Sequence, residues 1–320
     1  MNADRPAVAC LGAGRMGRGI TVAFAYAGHA VTMIDVKARP VEQFAALETD
    51  ALSLTRFGLL KHADAQTIMS RVSVVPASEG PAALAGAGLV FEGVPEVVEL
   101  KREVLAAASK LVGPNIIIAS TTSTILVDDL SGAVESPGRF LNVHWLNPAY
   151  LIPLVEVSPG AATDPAVIAG VKDLLEGIGK VPVVCAAKPG FIVPRIQALA
   201  MNEAARMVEE GVASAEDIDK AIRFGFGFRY AVFGLLEFID WGGGDILYYA
   251  SRYLEGALGD ERYRAPEVIS RNMREGRIGL RTGAGFLDYS GLDVDAYRER
   301  RLAELVDMLR HFGLARAPVL

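Results

Sequence analysis

Ala7–Ile20 reads AVACLGAGRMGRGI. The small and apolar run Ala7–Leu11 has the composition of a buried strand and leads directly into Gly12-Ala13-Gly14-Arg15-Met16-Gly17. An apolar helical stretch, Arg18–Ala27, follows. G-x-G-x-x-G between a strand and a helix suits a diphosphate. Gly12 permits the tight turn, Gly14 lets backbone amides approach the phosphates, and Gly17 allows close helix–strand packing. The positive pole at the helix start then attracts the anion, with Arg15 and Met16 in the same binding turn. Gly28-His29 ends the helix, and Ala30–Ile34 is a second strand run closed by Asp35. A carboxylate at that strand end accepts hydrogen bonds from ribose hydroxyls and repels a 2′-phosphate, so NAD is expected over NADP. Lys37 and Arg39, close behind, pull the other way.

Outward from this unit the alternation continues. Val41–Leu60 has helical apolar spacing, and a further helix is expected after His62-Ala63-Asp64 with Asp64 as its cap. Strand runs recur at Val72–Val75, Leu89–Glu92 and Asn115–Ser120; Ala166–Ile178 is helical. Lys180–Cys185 is a last strand whose Pro182 suits an edge. Beyond Lys188-Pro189-Gly190 strand patterns almost vanish. Helical segments are expected at Phe191–Glu210, Ala215–Phe224 with Ser214 as cap, Ala231–Tyr253, Pro266–Glu275 and Val294–Phe312. The expectation is an α/β protein: a Rossmann-type doubly wound sheet in residues 1–188, then an all-helical domain in 189–320.

The totals narrow the partners. With 320 residues, 51% hydrophobic, 22% charged and a net charge of -6, the chain lacks the basic footprint of a nucleic-acid binder. Cys10 and Cys185 sit in apolar runs and read as small core residues in a reducing compartment. Asp35 and Lys37 interrupt the first apolar window, so no membrane span is expected. The N-terminus lacks a charged segment followed by an apolar core and cleavage site. A cytoplasmic location is therefore expected, and no metal site.

Chemistry concentrates in Gly138–Val157, GRFLNVHWLNPAYLIPLVEV. Asn147-Pro148 separates two strand-like runs, one holding His144 and the other Glu156, so the two side chains are expected to face each other on neighbouring strands. A carboxylate beside an imidazole fixes its tautomer and stabilises the imidazolium, which makes the histidine a usable acid or base. A core histidine with a rim carboxylate has the same spacing. Glu96 and Lys101 follow a strand end, where they reach a ligand crevice or simply pair at a helix start, with Pro95 in its first turn. Thr121-Thr122-Ser123-Thr124 closes another strand run, either to meet a ligand oxygen or to cap a helix starting at Asp128-Asp129.

These residues, taken together, resemble the 3-hydroxyacyl-CoA dehydrogenase family over nearly the whole chain. LGAGRMGRGI, ASTTST, HWLNP, LVEV, PGFIV and TGAGFLDY stand in the family's order. The resemblance implies an NAD-binding domain, a helical domain that dimerises, an active site in the cleft between them, and a place in fatty acid metabolism. It implies a catalytic set in which His144 is the base for hydroxyl oxidation, Glu156 orients it, and Ser123 binds the substrate oxygen. Asn147 shapes the turn beside the histidine and the substrate, while Glu96 and Lys101 lie near the nicotinamide end of the cofactor.

Two departures bear on the substrate. Where the family reads G-F-I-x-N-R, with the asparagine contacting substrate, this chain has Pro194, which offers no amide. The arm after Asp35, lysine-rich in acyl-CoA members, carries only Arg56 and Lys61 as cations between residues 42 and 61. The expected activity is NAD-dependent oxidation of a short 3-hydroxyacyl-CoA. The alternatives are a dehydrogenase of a free 3-hydroxy acid, such as L-gulonate or carnitine, and a silent relative of the crystallin type. Phe191, Tyr150, Phe228 and Tyr230 are candidate aromatics for the substrate pocket.

Overall fold

Alternation within the apolar runs sets the architecture. Val8 and Cys10 join one buried cluster with Phe24, Met33, Leu47 and Phe91, while Ala9 and Leu11 join a second with Ile34, Val90, Leu105 and Ile118. Successive side chains of a strand point to opposite faces, so both faces of the sheet are covered. A computed structural model describes residues 5–36, 39–60 and 64–315. Lys37, Lys61, His62 and Ala63, which entered the sequence reading, lie outside the described residues.

The chain forms two compact units, Met1–Met201 and Asn202–Leu320, and the division falls inside the helix that follows Lys188-Pro189-Gly190. The first unit holds an eight-stranded sheet. In chain order its elements are β1 (Val8–Leu11), α1 (Arg15–Tyr26), β2 (Val31–Asp35), α2 (Pro40–Arg56), α3 (Ala65–Met69), β3 (Val72–Pro76), α4 (Gly80–Ala85) and β4 (Leu89–Glu92). There follow α5 (Val98–Leu111), β5 (Ile117–Ser120), α6 (Val127–Ser131), β6 (Phe140–Trp145), β7 (Leu154–Pro159), α7 (Pro165–Gly177), β8 (Val181–Val184) and α8 (Val193–Glu209). Strand order is β3-β2-β1-β4-β5-β6-β7-β8, and every neighbouring pair is parallel except β6 with β7.

The order reverses between β1 and β4, where an open α/β sheet leaves a crevice at its carboxyl edge. Two glycine turns meet there. Gly12 has φ +102°, and a Cβ on it would stand 2.9 Å from the Gly93 carbonyl oxygen. A Cβ on Gly17 would come within 2.0 Å of the Gly12 carbonyl oxygen, whereas one on Gly14 would meet nothing within 4 Å. Asp64 caps α3 through the Thr67 amide, as its position in the sequence suggests. Pro95 does not start a helix: α5 begins at Val98, after a loop in which Val94 donates to the Glu92 carboxylate. Cys10 is 1% exposed, and burial pushes its thiol up to about 12, while Cys185 is only half-buried.

The second unit is helical: α9 (Ala215–Phe224), α10 (Phe226–Tyr230), α11 (Leu235–Gly242), α12 (Gly244–Leu258), α13 (Glu267–Arg274) and α14 (Val294–His311). Ser214 caps α9 through the Asp217 amide. The expected single helix Ala231–Tyr253 is instead two, broken at Gly243 with φ +106°, a conformation that L side chains avoid. The TGAGFLDY segment wraps Asp240, whose carboxylate accepts from the amides of Phe286 and Leu287 and from the Tyr289 hydroxyl. Among the described residues no helix is long and apolar enough to cross a membrane.

Gly17→Ala is expected to cost about 1–3 kcal/mol, the range for overpacking a tight site, and to lower the melting temperature. Gly14→Ala, with open space and an ordinary backbone, is expected to leave it unchanged. Thermal unfolding of the two variants checks the contrast.

Candidate active site

β6 and β7 are antiparallel neighbours because the chain turns back through residues 146–153, and their register places His144 opposite Glu156. Nδ1 of His144 lies 2.7 Å from Oε2 of Glu156, with the residues 5% and 1% exposed. The other carboxylate oxygen accepts the amides of Ile192 at 3.0 Å and Val193 at 2.8 Å, where α8 begins. Phe191, the residue before them, is held at φ 45°, in the left-handed region. A non-glycine residue there costs on the order of 1–3 kcal/mol, and such strain gathers at functional sites. Its ring centroid lies 5.9 Å from that of the imidazole. Burial alone raises the Glu156 pKa, but hydrogen bonds from His144, Val193 and Ile192 outweigh it and hold the carboxyl below its usual range. An ionised carboxylate at Nδ1 makes that nitrogen a donor and leaves Nε2 to exchange a proton with a ligand.

A cleft of about 1130 Å³ runs along the carboxyl ends of the strands from β2 to β6. His144, Leu146, Asn147, Ser123, Pro194 and Gln197 line the β6 end. Gly12 to Met16 and Gly93 to Glu96 line its middle, and Asp35 the β2 end. Beyond lies an apolar slot between Ile34, Pro81, Leu84, Val104, Ala107 and Leu111.

These residues fit a dinucleotide. The N-terminus of α1 has no side-chain cap and no acid in its first turn, so its amides and positive pole are open to a diphosphate. The space beside Gly14 gives that group access. Asp35, at the β2 end of the cleft, accepts from Gln43 Nε2 at 2.5 Å, and the apolar slot suits a flat heterocycle.

Glu96 and Lys101 are placed differently from one another. Glu96 is the hub of the β5 loop: its Oε1 accepts the amides of Ser123 at 2.9 Å and Thr124 at 3.1 Å and the hydroxyls of Thr122, Ser123 and Thr124. Burial raises its pKa, but those bonds and the Lys101 charge win and lower it. The hydroxyl run therefore gathers around Glu96 and does not cap α6, whose first turn has no side-chain cap. Lys101 is 1% exposed at the cleft floor, where its ammonium contacts Glu92 Oε1 at 2.8 Å, the Val94 carbonyl at 3.2 Å and Glu96 Oε2 at 3.5 Å. Glu92, wholly buried, also accepts from Ser120 Oγ at 2.7 Å.

Glu92 joins the site without a local motif, although an acid closing an apolar strand and a lysine on the next helix is a readable sign of a buried pair. Lys180 is a second such case. Its ammonium donates to the Ala149 and Ile152 carbonyls at 2.6 and 2.8 Å, and burial pushes it down to about 8. The loop it holds abuts α1, where a Cβ on Gly19 would stand 2.8 Å from the Ala149 Cβ. Of the candidate aromatics, Phe191 stands beside His144 and Tyr150 packs on the core below. Phe228 and Tyr230 belong to the second unit's own clusters, with Phe312 and with Phe226 and Phe238. Among the described residues no group of three or more His, Cys, Asp or Glu is arranged to hold a metal.

Comparison with known proteins gives a consistent answer. Residues 7–188 match the profile described as 3-hydroxyacyl-CoA dehydrogenase, NAD binding domain, and residues 190–289 match the C-terminal domain of the same family. A 5-formyl-3-hydroxy-2-methylpyridine 4-carboxylate 5-dehydrogenase of Mesorhizobium japonicum is 31% identical over 95% of this chain and 97% of its own length. A 3-hydroxybutyryl-CoA dehydrogenase of Bradyrhizobium diazoefficiens is 34% identical over 89% of this chain and 95% of its own. The crystal structure of a 3-hydroxyacyl-CoA dehydrogenase from Archaeoglobus fulgidus superposes with a TM-score of 0.78 at 34% identity, covering 97% of this chain and 100% of that one.

Two outcomes follow from this geometry. Asp35→Ala is expected to narrow the preference for NAD over NADP, and equal efficiency of the unaltered protein with both cofactors contradicts the role given to Asp35. Glu96, with its pKa lowered on folding, contributes stability that is present above the unfolded value of about 4.3 and lost as pH falls through the folded value. Glu96→Gln is therefore expected to be less stable than the unaltered protein at neutral pH, with the gap closing in acid. Melting temperatures measured across that range decide it.

Proposed function

The chain belongs to the 3-hydroxyacyl-CoA dehydrogenase family, and on that premise we propose that it oxidises the hydroxyl of a short 3-hydroxyacyl-CoA to the ketone. The observation that carries the reading is the buried His144–Glu156 pair at the rim of the dinucleotide cleft. NAD supplies the acceptor for the hydride, and the protein's part is to move a proton and hold an oxygen. His144 Nε2 takes the hydroxyl proton, and Glu156 stabilises the imidazolium that results. Ser123 is fixed through its amide by Glu96, and its hydroxyl, which rests 3.3 Å from the same carboxylate, turns to donate to the substrate oxygen as the carbonyl forms. Asn147 completes the rim on the loop clamped by Lys180. Lys101 acts on the ligand through Glu96, since its ammonium is committed to carboxylates and a carbonyl.

A free hydroxy acid is the second reading, and two observations favour it. The Mesorhizobium relative, named for a pyridine carboxylate, aligns over nearly the whole chain. The described part of the α2 arm offers few cations to a coenzyme A phosphate, and Arg56 lies over the Phe57 ring. The proposal extends to organisation. Residues 1–188 form the cofactor domain and 189–320 a helical domain that pairs two copies, because Ile246, Tyr249, Tyr253 and Leu258 of α12 leave apolar surface exposed.

His144→Ala is expected to lower turnover by about two to four orders of magnitude while leaving NADH affinity nearly unchanged. Near-normal turnover in this variant returns His144 to a structural role. A panel of CoA esters and free hydroxy acids, followed by NADH absorbance, separates the two substrate readings.

A further inference from the structure

We propose that Gln197 selects the substrate, its side-chain amide donating to the oxygen of a carbonyl group, thioester or carboxylate, that sits near the reacting carbon. The inference rests on the reading that a hydroxyl is oxidised at His144, and it adds the group that recognises the rest of the substrate.

Few donors are free around the β6 end of the cleft. The hydroxyl being oxidised has His144 and Ser123. A second substrate oxygen on the α8 side needs another donor, because a buried carbonyl left without one costs more than a poor contact. The amides that open α8 are engaged: Ile192 and Val193 donate to Glu156. Pro194 has no N–H, and the next two amides close the helix, Arg195 to the Gly190 carbonyl at 3.0 Å and Ile196 to that of Ile192 at 3.1 Å. The backbone of α8 therefore has nothing to give.

Of its side chains, Pro194 and Gln197 line the cleft. Three residues apart, they share one helix face. Gln197 is exposed, and its side-chain amide makes no hydrogen bond among the described residues. Asn147 is also polar and exposed to the cleft, but it lies on the β6–β7 loop, which abuts α1 through Ala149 and Gly19, and not on α8. That leaves the Gln197 amide as the α8-side donor. Being neutral, it serves a thioester carbonyl and a carboxylate alike, and the experiment tells them apart.

The test uses the full chain with Gln197→Leu, Gln197→Glu and Gln197→Asn, assayed with a short 3-hydroxyacyl-CoA and with the corresponding free hydroxy acid. Leucine and glutamate approximate the shape and remove the donor, whereas asparagine keeps the amide on a shorter stem. The leucine and glutamate variants are expected to lose about 10–100-fold in kcat/KM on whichever substrate the unaltered protein turns over, and asparagine to recover part of it. NADH affinity is expected to stay unchanged throughout, which also reports that each variant is folded. A loss confined to the CoA ester assigns the thioester carbonyl. On the free acid, a loss larger with glutamate than with leucine assigns the carboxylate. Retention of kcat/KM within about twofold in both variants overturns the inference, as does an equal loss of NADH affinity. If the unaltered protein binds NADH but turns over neither substrate, the dehydrogenase reading itself falls, and this inference with it.

Discussion

One carboxylate, Glu156, ties the site to the scaffold. Through one oxygen it holds the imidazole of β6, and through the other the first amides of α8. A buried anion in apolar surroundings is costly unless every lone pair is met. Here the groups that meet it are the ones whose positions matter. The histidine ring is oriented by the same bonds that keep the acid ionised. The helix start is drawn to the sheet by a charge that suits its positive pole. The left-handed Phe191 is the local cost of aiming two consecutive amides at one oxygen.

A second buried network organises the opposite wall. Glu92, Lys101 and Glu96 form a line from the core to the cleft edge, with one ammonium between two carboxylates. Buried ion pairs are weak evidence for net stability, and their better-attested use is to fix one arrangement among several. That use fits here, because the outer acid gathers the amides and hydroxyls of the Thr122–Thr124 turn and so sets where Ser123 stands. Two walls of the cleft are thus positioned by ionised side chains, each anchored to a different strand pair.

The parts of this arrangement governed by local chemistry were legible in the sequence. The glycine spacing, the strand–turn–helix order, Asp35, the capping roles of Asp64 and Ser214, and the facing of His144 and Glu156 all follow from neighbours close along the chain. Tertiary partners were not. Glu92 is unremarkable in LVFE until Lys101 folds back over it, and Gln197 is one of several polar residues in its helix until the cleft wall is seen. Lys180 opens the last strand run with nothing local to mark it, and its ammonium is buried on two carbonyls of a distant loop. The break at Gly243 was hidden because three glycines in a row read as a loop tip or a kinked helix with equal ease.

The outer strand β8 has a consequence for the protein's behaviour at high concentration. The Val181 and Cys185 amides both donate inward, to the carbonyls of Pro153 and Val157. Alternate amides along a strand point to opposite sides, so Pro182 falls among the outward ones, where it has no N–H to offer. Val181 and Val184 are exposed, apolar and β-branched, a composition that invites another chain to add on as a further strand. Proline at the position between them leaves the Val184 amide as the outward donor within the strand, too few for a ladder to propagate. The sheet is therefore terminated chemically on this side, and a residue with no part in binding or catalysis guards the fold against self-association through its edge.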